Sequence, residues 1–73
     1  MTPALISIII PARNEEGNIA RLEQELLAVV EVLPDKFEFI VVDNDSTDRT
    51  GELVKAICAR DPRWKYLNNT PRY

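Results

Sequence analysis

Histidine is absent from this chain of 73 residues, and cysteine occurs once, as Cys58. Without histidine the chain cannot build a Ser-His-Asp or Cys-His catalytic device, or a histidine-ligated zinc site. One cysteine cannot form an internal disulfide or a Cys-x-x-Cys pair, which fits a reducing compartment and favours a cytoplasmic protein. These absences exclude several common catalytic chemistries from the chain itself.

Clusters of basic residues and long apolar runs are also missing. Nine basic residues stand against twelve acidic ones, a net charge of -3, and the absence of a basic cluster argues against nucleic-acid binding. The longest apolar stretch, 4–12, is interrupted by Ser7 and is far too short to span a bilayer. The sequence therefore predicts no nucleic-acid partner and no membrane segment in this chain.

Glycine is scarce, and only Gly17 and Gly51 are present. The dinucleotide fingerprint G-x-G-x-x-G and the P-loop both require closely spaced glycines, so a dehydrogenase or an NTPase of these kinds is excluded. A phosphoacceptor receiver domain would need an acidic pair directly after the first strand. This chain has Pro-Ala-Arg there, at 11–13.

The residues that are present alternate between β-branched runs and apolar residues at helical spacing. The first run, 5–10, is typical of a strand covered on both faces, as in parallel sheets. Asn14 is predicted to cap the first helix, with Glu15 and Glu16 in its first turn, and one of residues 46–48 to cap the second. Strands are predicted at 5–10, 37–43 and 64–67, and the apolar helix faces at 19–33 and 53–58.

This order of elements predicts an α/β fold, the βαβαβ half of a three-layer, doubly wound parallel sheet, in one partial domain over 1–73. Ligands of such sheets bind beyond the carboxyl ends of the strands. Two polar segments occupy that edge, 11–17 and 43–50, and the second contains three aspartates within six residues. Function is therefore expected at these two segments.

The same segments resemble the start of family 2 glycosyltransferases, which have the Rossmann-like GT-A fold and transfer sugars from nucleotide diphosphates. I-I-I-P-A-R-N-E-E-G-N-I, at 8–19, matches the family pattern P-x-x-N-E. F-I-V-V-D-N-D-S-T-D-R-T, at 39–50, matches V-D-D-G-S-x-D-x-T. The resemblance covers essentially the whole chain. The later run A-R-D-P-R-W-K-Y-L is similar to the branch that charges polyprenyl or dolichyl phosphates.

The resemblance implies a nucleotide-binding site at seven positions. Pro11, Ala12 and Arg13 would line the nucleoside pocket, and Glu15 would face the ribose; the alternatives are a solvated cation for Arg13 and a helix-start charge for Glu15. The remaining positions, at the base, are Val42, Asp43 and Asn44.

Position 44 departs from the family pattern, which usually has a carboxylate there to accept a hydrogen bond from the base. The amide carbonyl of Asn44 can still accept that bond, and its NH2 can donate to a base carbonyl. Uracil and guanine therefore both stay open as the base.

The triplet Asp43-Asn44-Asp45 spells D-x-D, but we do not interpret it as a metal site. In the family the metal-binding D-x-D follows a fourth strand. Asp45 stands where the family commonly has glycine, so we interpret it as a turn residue in a left-handed conformation. Asp48 and Thr50 are interpreted as capping groups. No catalytic or metal-binding residue is predicted within this chain.

The resemblance also implies that a complete enzyme needs parts beyond Tyr73: the later D-x-D with Mg2+ or Mn2+, an acceptor site and a general base. The chain alone is then expected to be inactive. Its donor would be a UDP- or GDP-linked sugar, its acceptor a polyprenyl phosphate or a glycan, and membrane association would belong to the full-length protein. The alternative is a stand-alone α/β binding or interaction module without transferase activity.

The expected sheet order has a consequence for self-association. In the family this part of the sheet runs 3-2-1, with a fourth strand beside the first. Without that strand, 5–10 is an open, apolar edge that lacks a lysine or an inner proline. Open edges of this kind recruit other strands, so self-association through the first strand or the surfaces beside it is expected.

Overall fold

A computed structural model gives the fold and describes residues 4–69. The five elements have the predicted order. They are β1 (Leu5–Ala12), α1 (Ile19–Val30), β2 (Lys36–Asp43), α2 (Thr50–Arg60) and β3 (Trp64–Asn68). Neither helix in this part of the chain has the length and apolar character needed to cross a membrane.

The three strands are parallel and lie in the order β1-β2-β3, as expected. The register places Ala12, Asp43 and Asn68 in one row at the carboxyl ends of the strands. Among residues 4–69, no strand lies on the outer side of β1. The sequence-predicted site residues at the first two strand ends are therefore neighbours at one edge of the sheet.

β1 continues two residues further than predicted, through Pro11 to Ala12. The carbonyls of Ala4 and Ala12 accept from the N–H groups of Lys36 and Asn44, so the even residues of β1 direct their backbone groups toward β2. The odd residues direct theirs to the open side. Pro11 is odd and needs no N–H there, which is why the strand tolerates it.

Both helices pack on one face of the sheet, where they form the hydrophobic core. The two helices contact each other, and Arg60 of α2 forms an ion pair with Glu23 of α1. Phe39 is 1% exposed and its ring lies 4.9 Å from that of Trp64, centroid to centroid. The buried apolar residues are Ala12, Ile19, Val30, Phe39, Val41, Val54, Ile57 and Trp64.

The opposite face of the sheet has no covering layer among the described residues. Leu5, Ile9 and Leu67 point to this side and are 63%, 58% and 56% exposed. The prediction of a first strand covered on both faces is therefore wrong for residues 4–69. The two crossovers have the same hand, so both helices lie on one side of the sheet. The sheet and this helix layer are two of the three predicted layers. We call the opposite side of the sheet the uncovered face; its apolar residues are Leu5, Ile9, Pro11, Ile40, Val42 and Leu67, and the same alternation places Ser7, Glu38 and Lys65 on it.

The first helix begins later than predicted. Asn14 does not cap it, because α1 starts at Ile19 and Asn14 has a left-handed backbone with φ of 51°. The residues between form a turn, closed by a hydrogen bond of 2.8 Å from the N–H of Asn18 to the carbonyl of Glu15. The predicted Glu15 and Glu16 therefore lie in this turn and not in the first turn of α1. Tertiary contacts of Asn14, described below, account for the difference.

Candidate functional site

Two loops meet at the carboxyl end of the sheet. The first loop, residues 13–18, follows β1, and the second loop, residues 44–49, follows β2. A hydrogen bond of 2.8 Å from the N–H of Asn44 to the carbonyl of Ala12 continues the strand pairing into the second loop. The pairing also places Pro11 beside Val42 and Ala12 beside Asp43. The structure thus brings these predicted residues of both segments together.

Three consecutive backbone N–H groups of the first loop donate to side chains from the second loop and the start of α2. Each acceptor is an oxygen of a residue in the D-N-D-S-T-D-R-T motif. The pairs are Asn14 N to Ser46 Oγ at 2.9 Å, Glu15 N to Thr50 Oγ1 at 2.8 Å, and Glu16 N to Asp48 Oδ2 at 3.2 Å. The polar side chains of the second motif therefore hold the backbone of the first.

Asp43 anchors the first of these connections. Its carboxylate is 3% exposed and accepts from the N–H and the hydroxyl of Ser46, at 3.0 and 2.5 Å, and from the hydroxyl of Tyr66 at 2.6 Å. Because the Ser46 hydroxyl donates to Asp43, its lone pairs are free to accept from Asn14. Burial opposes ionisation, but the hydrogen bonds from Ser46 and Tyr66 outweigh it and lower the pKa of Asp43.

Asp48 anchors the second connection. One of its oxygens accepts from the N–H of Thr50 at 2.9 Å and from the Thr50 hydroxyl at 2.5 Å. Thr50 is fully buried. Desolvation raises the pKa of Asp48. The hydrogen bonds from Thr50 and Glu16 lower this pKa by more than desolvation raises it, so the net shift is downward. Asp48, one residue before the N-cap position at Arg49, accepts from the first N–H of α2, at Thr50. Thr50 does not cap α2, because its hydroxyl donates to Asp48 and accepts from the N–H of Glu15. Both side chains fix the first loop.

Two residues of the loops have left-handed backbones. Asn14 has φ of 51° and Asp45 has φ of 55°, a region that asparagine and aspartate enter more readily than other residues with side chains. The Asn14 carbonyl oxygen accepts from the N–H of Thr47 at 2.9 Å. The interpretation of Asp45 as a left-handed turn residue is confirmed. Asn14 has the same role in the first loop, where helix capping was predicted.

Asn44 has a partner that the sequence did not reveal. Its side-chain oxygen accepts a hydrogen bond of 3.0 Å from the side-chain NH2 of Asn69. The backbone N–H of Asn69 in turn donates to the carbonyl of Asp43 at 2.7 Å. The orientation of the Asn44 amide is therefore set from the residue that follows β3.

A cleft of about 330 Å3 adjoins the loops, between α1 and the open edge of β1. Its walls include Pro11, Ala12 and Glu15 of the predicted site. Glu15 is exposed and accepts a hydrogen bond of 3.0 Å from the side chain of Asn18. Arg13 is exposed in the first loop and does not line this cleft. The arrangement offers apolar walls beside groups that accept or donate hydrogen bonds.

The comparison with known protein families agrees with this geometry. The pattern that defines Glycosyl transferase family 2 matches residues 7–73, which include both loops and all three strand ends. The chain belongs to glycosyl transferase family 2. The resemblance of the two motifs, and the α/β fold with three parallel strands predicted from them, are confirmed.

Curated relatives of this family 2 chain are much longer than the chain itself. One, named undecaprenyl-phosphate 4-deoxy-4-formamido-L-arabinose transferase, from Pseudomonas paraeruginosa (strain DSM 24068 / PA7), is 39% identical over 57 residues, 78% of this chain. Another, named 4,4'-diaponeurosporenoate glycosyltransferase, from Staphylococcus haemolyticus (strain JCSC1435), is 40% identical over 68 residues, 93% of this chain. The chain spans 17% of each of these relatives. No solved structure gives a significant match.

The family 2 motifs do not include two residues on which this site depends. Tyr66 and Asn69 lie on or just after β3 and hold Asp43 and Asn44. Alternation along β3 places Tyr66 on the same face as Trp64, and this signal could have revealed that Tyr66 faces the helices. No sequence signal pointed to Asn69.

Proposed function

We propose that this chain is the nucleotide-sugar-binding part of an inverting glycosyltransferase that acts in the cytoplasm. The donor is a sugar linked to a nucleoside diphosphate, UDP or GDP. The acceptor is a polyprenyl phosphate, a class that the name of one relative includes, or a glycan. The observation that supports this most is that the two family motifs form one hydrogen-bonded unit at the carboxyl edge of a parallel sheet.

The loops supply groups suited to each part of a nucleotide. Pro11 and Val42 lie side by side on one face of the sheet and give an apolar wall for the base, whereas Ala12 is 5% exposed and faces the helices. Glu15 is exposed and its carboxylate suits ribose hydroxyls, while the exposed Arg13 guanidinium suits a diphosphate. In this proposal, the oriented amide of Asn44 meets the base edge. Asp43 acts through the loop that it holds, because both of its oxygens already accept hydrogen bonds.

The described residues do not fit a divalent cation. Both oxygens of Asp43 accept hydrogen bonds from Ser46 and Tyr66. Between residues 4 and 69, no three His, Cys, Asp or Glu side chains come together at one point. We therefore propose that the Mg2+ or Mn2+ of the whole enzyme is held by residues outside this chain, and we route no step through it.

Nucleotide binding is expected to be weak and local. Because diphosphate and metal contacts are incomplete, we expect a millimolar Kd, which corresponds to about 4 kcal/mol. In an NMR titration with UDP and with GDP, the amides of 12–15 and 42–44 should shift first. Shifts confined to the outer surfaces of α1 and α2, or no shift with either nucleotide, would contradict the proposed site.

Substitution of single arginines shows whether nucleotide binding depends on the first loop. Arg13→Gln removes an exposed guanidinium from the first loop and should weaken binding about fivefold, the loss of about one hydrogen bond. Arg60→Gln is the matched control at the far end of α2, where only the exposed pair with Glu23 is lost. Equal effects of the two variants would indicate non-specific attraction of the anion.

The 73-residue chain is not expected to transfer sugar by itself. The family resemblance implies that the general base and the metal-binding D-x-D of the whole enzyme belong to residues outside this chain. Release of nucleoside diphosphate from UDP- and GDP-linked sugars, with Mg2+ or Mn2+ present, should equal the rate without protein. Turnover that survives repurification and disappears in Asn44→Ala would overturn this expectation.

We also propose that the isolated chain self-associates through β1 and the adjoining uncovered face. The backbone groups of Leu5, Ser7 and Ile9 point to the open side of β1, where residues 4–69 place no strand. The side chains of Leu5 and Ile9 lie exposed beside that edge. A second copy would supply both the missing strand and an apolar surface.

A further inference from the structure

Tyr66 lies in β3, two strands away from the first loop, yet it belongs to the same hydrogen-bond network. Its hydroxyl donates to Asp43 Oδ2 at 2.6 Å. The other carboxylate oxygen of Asp43 accepts from the Ser46 hydroxyl at 2.5 Å, and that hydroxyl accepts from the N–H of Asn14 at 2.9 Å. A continuous chain of hydrogen bonds therefore joins Tyr66 to Asn14.

We propose that Tyr66 is a positioning residue of the nucleotide site, which fixes the first loop through Asp43 and Ser46 and so sets the affinity for the nucleotide. This inference rests on the proposed function. Tyr66 does not line the cleft beside the loops, and its hydroxyl is hydrogen-bonded to Asp43 of the predicted site. Tyr66 would therefore affect a bound nucleotide through the carboxylate of Asp43.

The burial of Asp43 explains why a remote hydroxyl matters. A carboxylate that is 3% exposed must have hydrogen-bond partners on both oxygens, because water cannot replace a missing one without cost. Without the Tyr66 hydroxyl, Oδ2 would have to find another donor. The other donors to this carboxylate belong to Ser46 and bond its Oδ1. A carboxylate that rotates to regain a bond on Oδ2 would change the position that Ser46 gives to Asn14. The bond also raises the pKa of Tyr66 to about 12, so the phenol stays protonated and remains a donor.

Gly51 gives independent support for a precisely packed Tyr66–Asp43 pair. A Cβ added to Gly51 would lie 2.8 Å from the Tyr66 hydroxyl and 3.4 Å from Asp43 Oδ2. Only glycine leaves room for the hydrogen bond at this point of α2. By contrast, a Cβ added to Gly17, in the first loop, meets no atom within 4 Å.

The first test removes only the hydroxyl. Tyr66→Phe should weaken UDP or GDP binding about fivefold, within the range found for residues that modulate a site without touching the ligand. It should also shift the backbone amide resonances of Asn14 and Ser46 in the nucleotide-free chain. The matched control is Lys55→Ala, which removes the ammonium group 5.1 Å from the Tyr66 ring centroid and leaves the hydroxyl bond intact. This control should bind like the wild type.

A double-mutant cycle separates positioning from general destabilisation. If Tyr66 acts through Ser46, the double variant Tyr66→Phe/Ser46→Ala should bind no worse than Ser46→Ala alone. Independent structural effects would instead multiply. Multiplicative losses in the cycle would overturn the inference.

Gly51→Ala tests the same bond without altering its partners. It should weaken nucleotide binding as Tyr66→Phe does, while Lys55→Ala should not. In the Tyr66→Phe background the clash with the hydroxyl is gone, so adding Gly51→Ala should cause little further loss. If Tyr66→Phe folds poorly, Gly51→Ala and Ser46→Ala still test the inference, because both variants keep Tyr66.

The two proposals fail in different ways. If the wild-type chain shifts no amide of 12–15 or 42–44 with either nucleotide, the proposed function is overturned, and the role of Tyr66 in binding with it. If the wild type binds and Tyr66→Phe binds equally well with unshifted Asn14 and Ser46 amides, the inference alone is overturned.

Discussion

Phe39→Ala is expected to leave the chain unfolded at room temperature. Phe39 is 1% exposed in the central strand and its ring packs 4.9 Å from that of Trp64. The guanidinium of Arg63 covers it at 5.9 Å from the ring centroid. Truncating a buried phenylalanine costs about 3–5 kcal/mol. A single core in a chain this small rarely supplies more than about 3–5 kcal/mol, so little or no stability would remain.

Circular dichroism and urea unfolding provide the measurement. The variant should lack the cooperative transition of the wild type and show a far-ultraviolet spectrum of low helix content. Val32→Ala is the matched control, because Val32 is 79% exposed after α1 and should change the free energy of unfolding by less than about 0.5 kcal/mol. A cooperative transition in Phe39→Ala with a midpoint near that of the wild type would show that the core lies elsewhere.

The elements of this fold could be predicted because their signals are local. The short length and β-branched residues of 37–43 favour a strand, and the helical spacing of the apolar residues of 19–33 favours a helix. The parallel order follows from the lengths of the connections. The meeting of 11–17 and 43–50 follows from that order, because carboxyl ends of parallel strands share one edge. The candidate site was located by this argument and by the two family motifs.

The start of α1 could not be predicted because tertiary contacts decide it. Asparagine followed by two glutamates is a normal helix start, and nothing local opposes it at Asn14. In the fold, the N–H and the side-chain oxygen of Asn14 bond to Ser46 and Thr47, more than thirty positions later. These bonds hold Asn14 in a left-handed conformation and delay the helix to Ile19.

The coverage of β1 could not be predicted for a different reason. A β-branched run shows that a strand tolerates burial on both faces, but it does not show what covers them. Ile8 and Ile10 pack against the core, whereas Ile9 between them is 58% exposed. The identical residue type at all three positions carries no information about this difference. Only the handedness of the crossovers, applied to both helices, could have indicated the uncovered side.

The same residue gives the second large expected effect: Ile9→Lys should convert a self-associating chain to a monomer. Ile9 lies in the middle of β1, with its backbone groups toward the open edge and its side chain on the uncovered face. The adjoining residues Ile40, Val42 and Leu67 extend the apolar part of that face across the sheet, next to Glu38 and Lys65. A lysine at this point acts against edge pairing and against face-to-face packing alike.

The size of the effect follows from charge burial. Pairing β1 with a second copy would place the new ammonium group in an apolar contact, with a second one nearby by symmetry. Lysines directed inward from edge strands are a device by which natural sheets avoid such pairing. Burying an unpaired charge costs several kcal/mol, so we expect association at least about a hundredfold weaker, which corresponds to about 3 kcal/mol.

Sedimentation velocity over a series of concentrations measures the result. The wild type should form dimers or larger species at micromolar concentration, and Ile9→Lys should remain monomeric over the same range. Val32→Lys, which also introduces a lysine at an exposed apolar position, lies after α1 and away from β1, so it should associate like the wild type. Since Ile9 already lies exposed, the lysine should leave the urea midpoint nearly unchanged when both chains are diluted below the concentration at which the wild type associates. This comparison separates loss of association from loss of folding. A wild type that stays monomeric at crystallisation concentrations, or an Ile9→Lys variant that still associates, would contradict a role for β1 in recruiting a second copy.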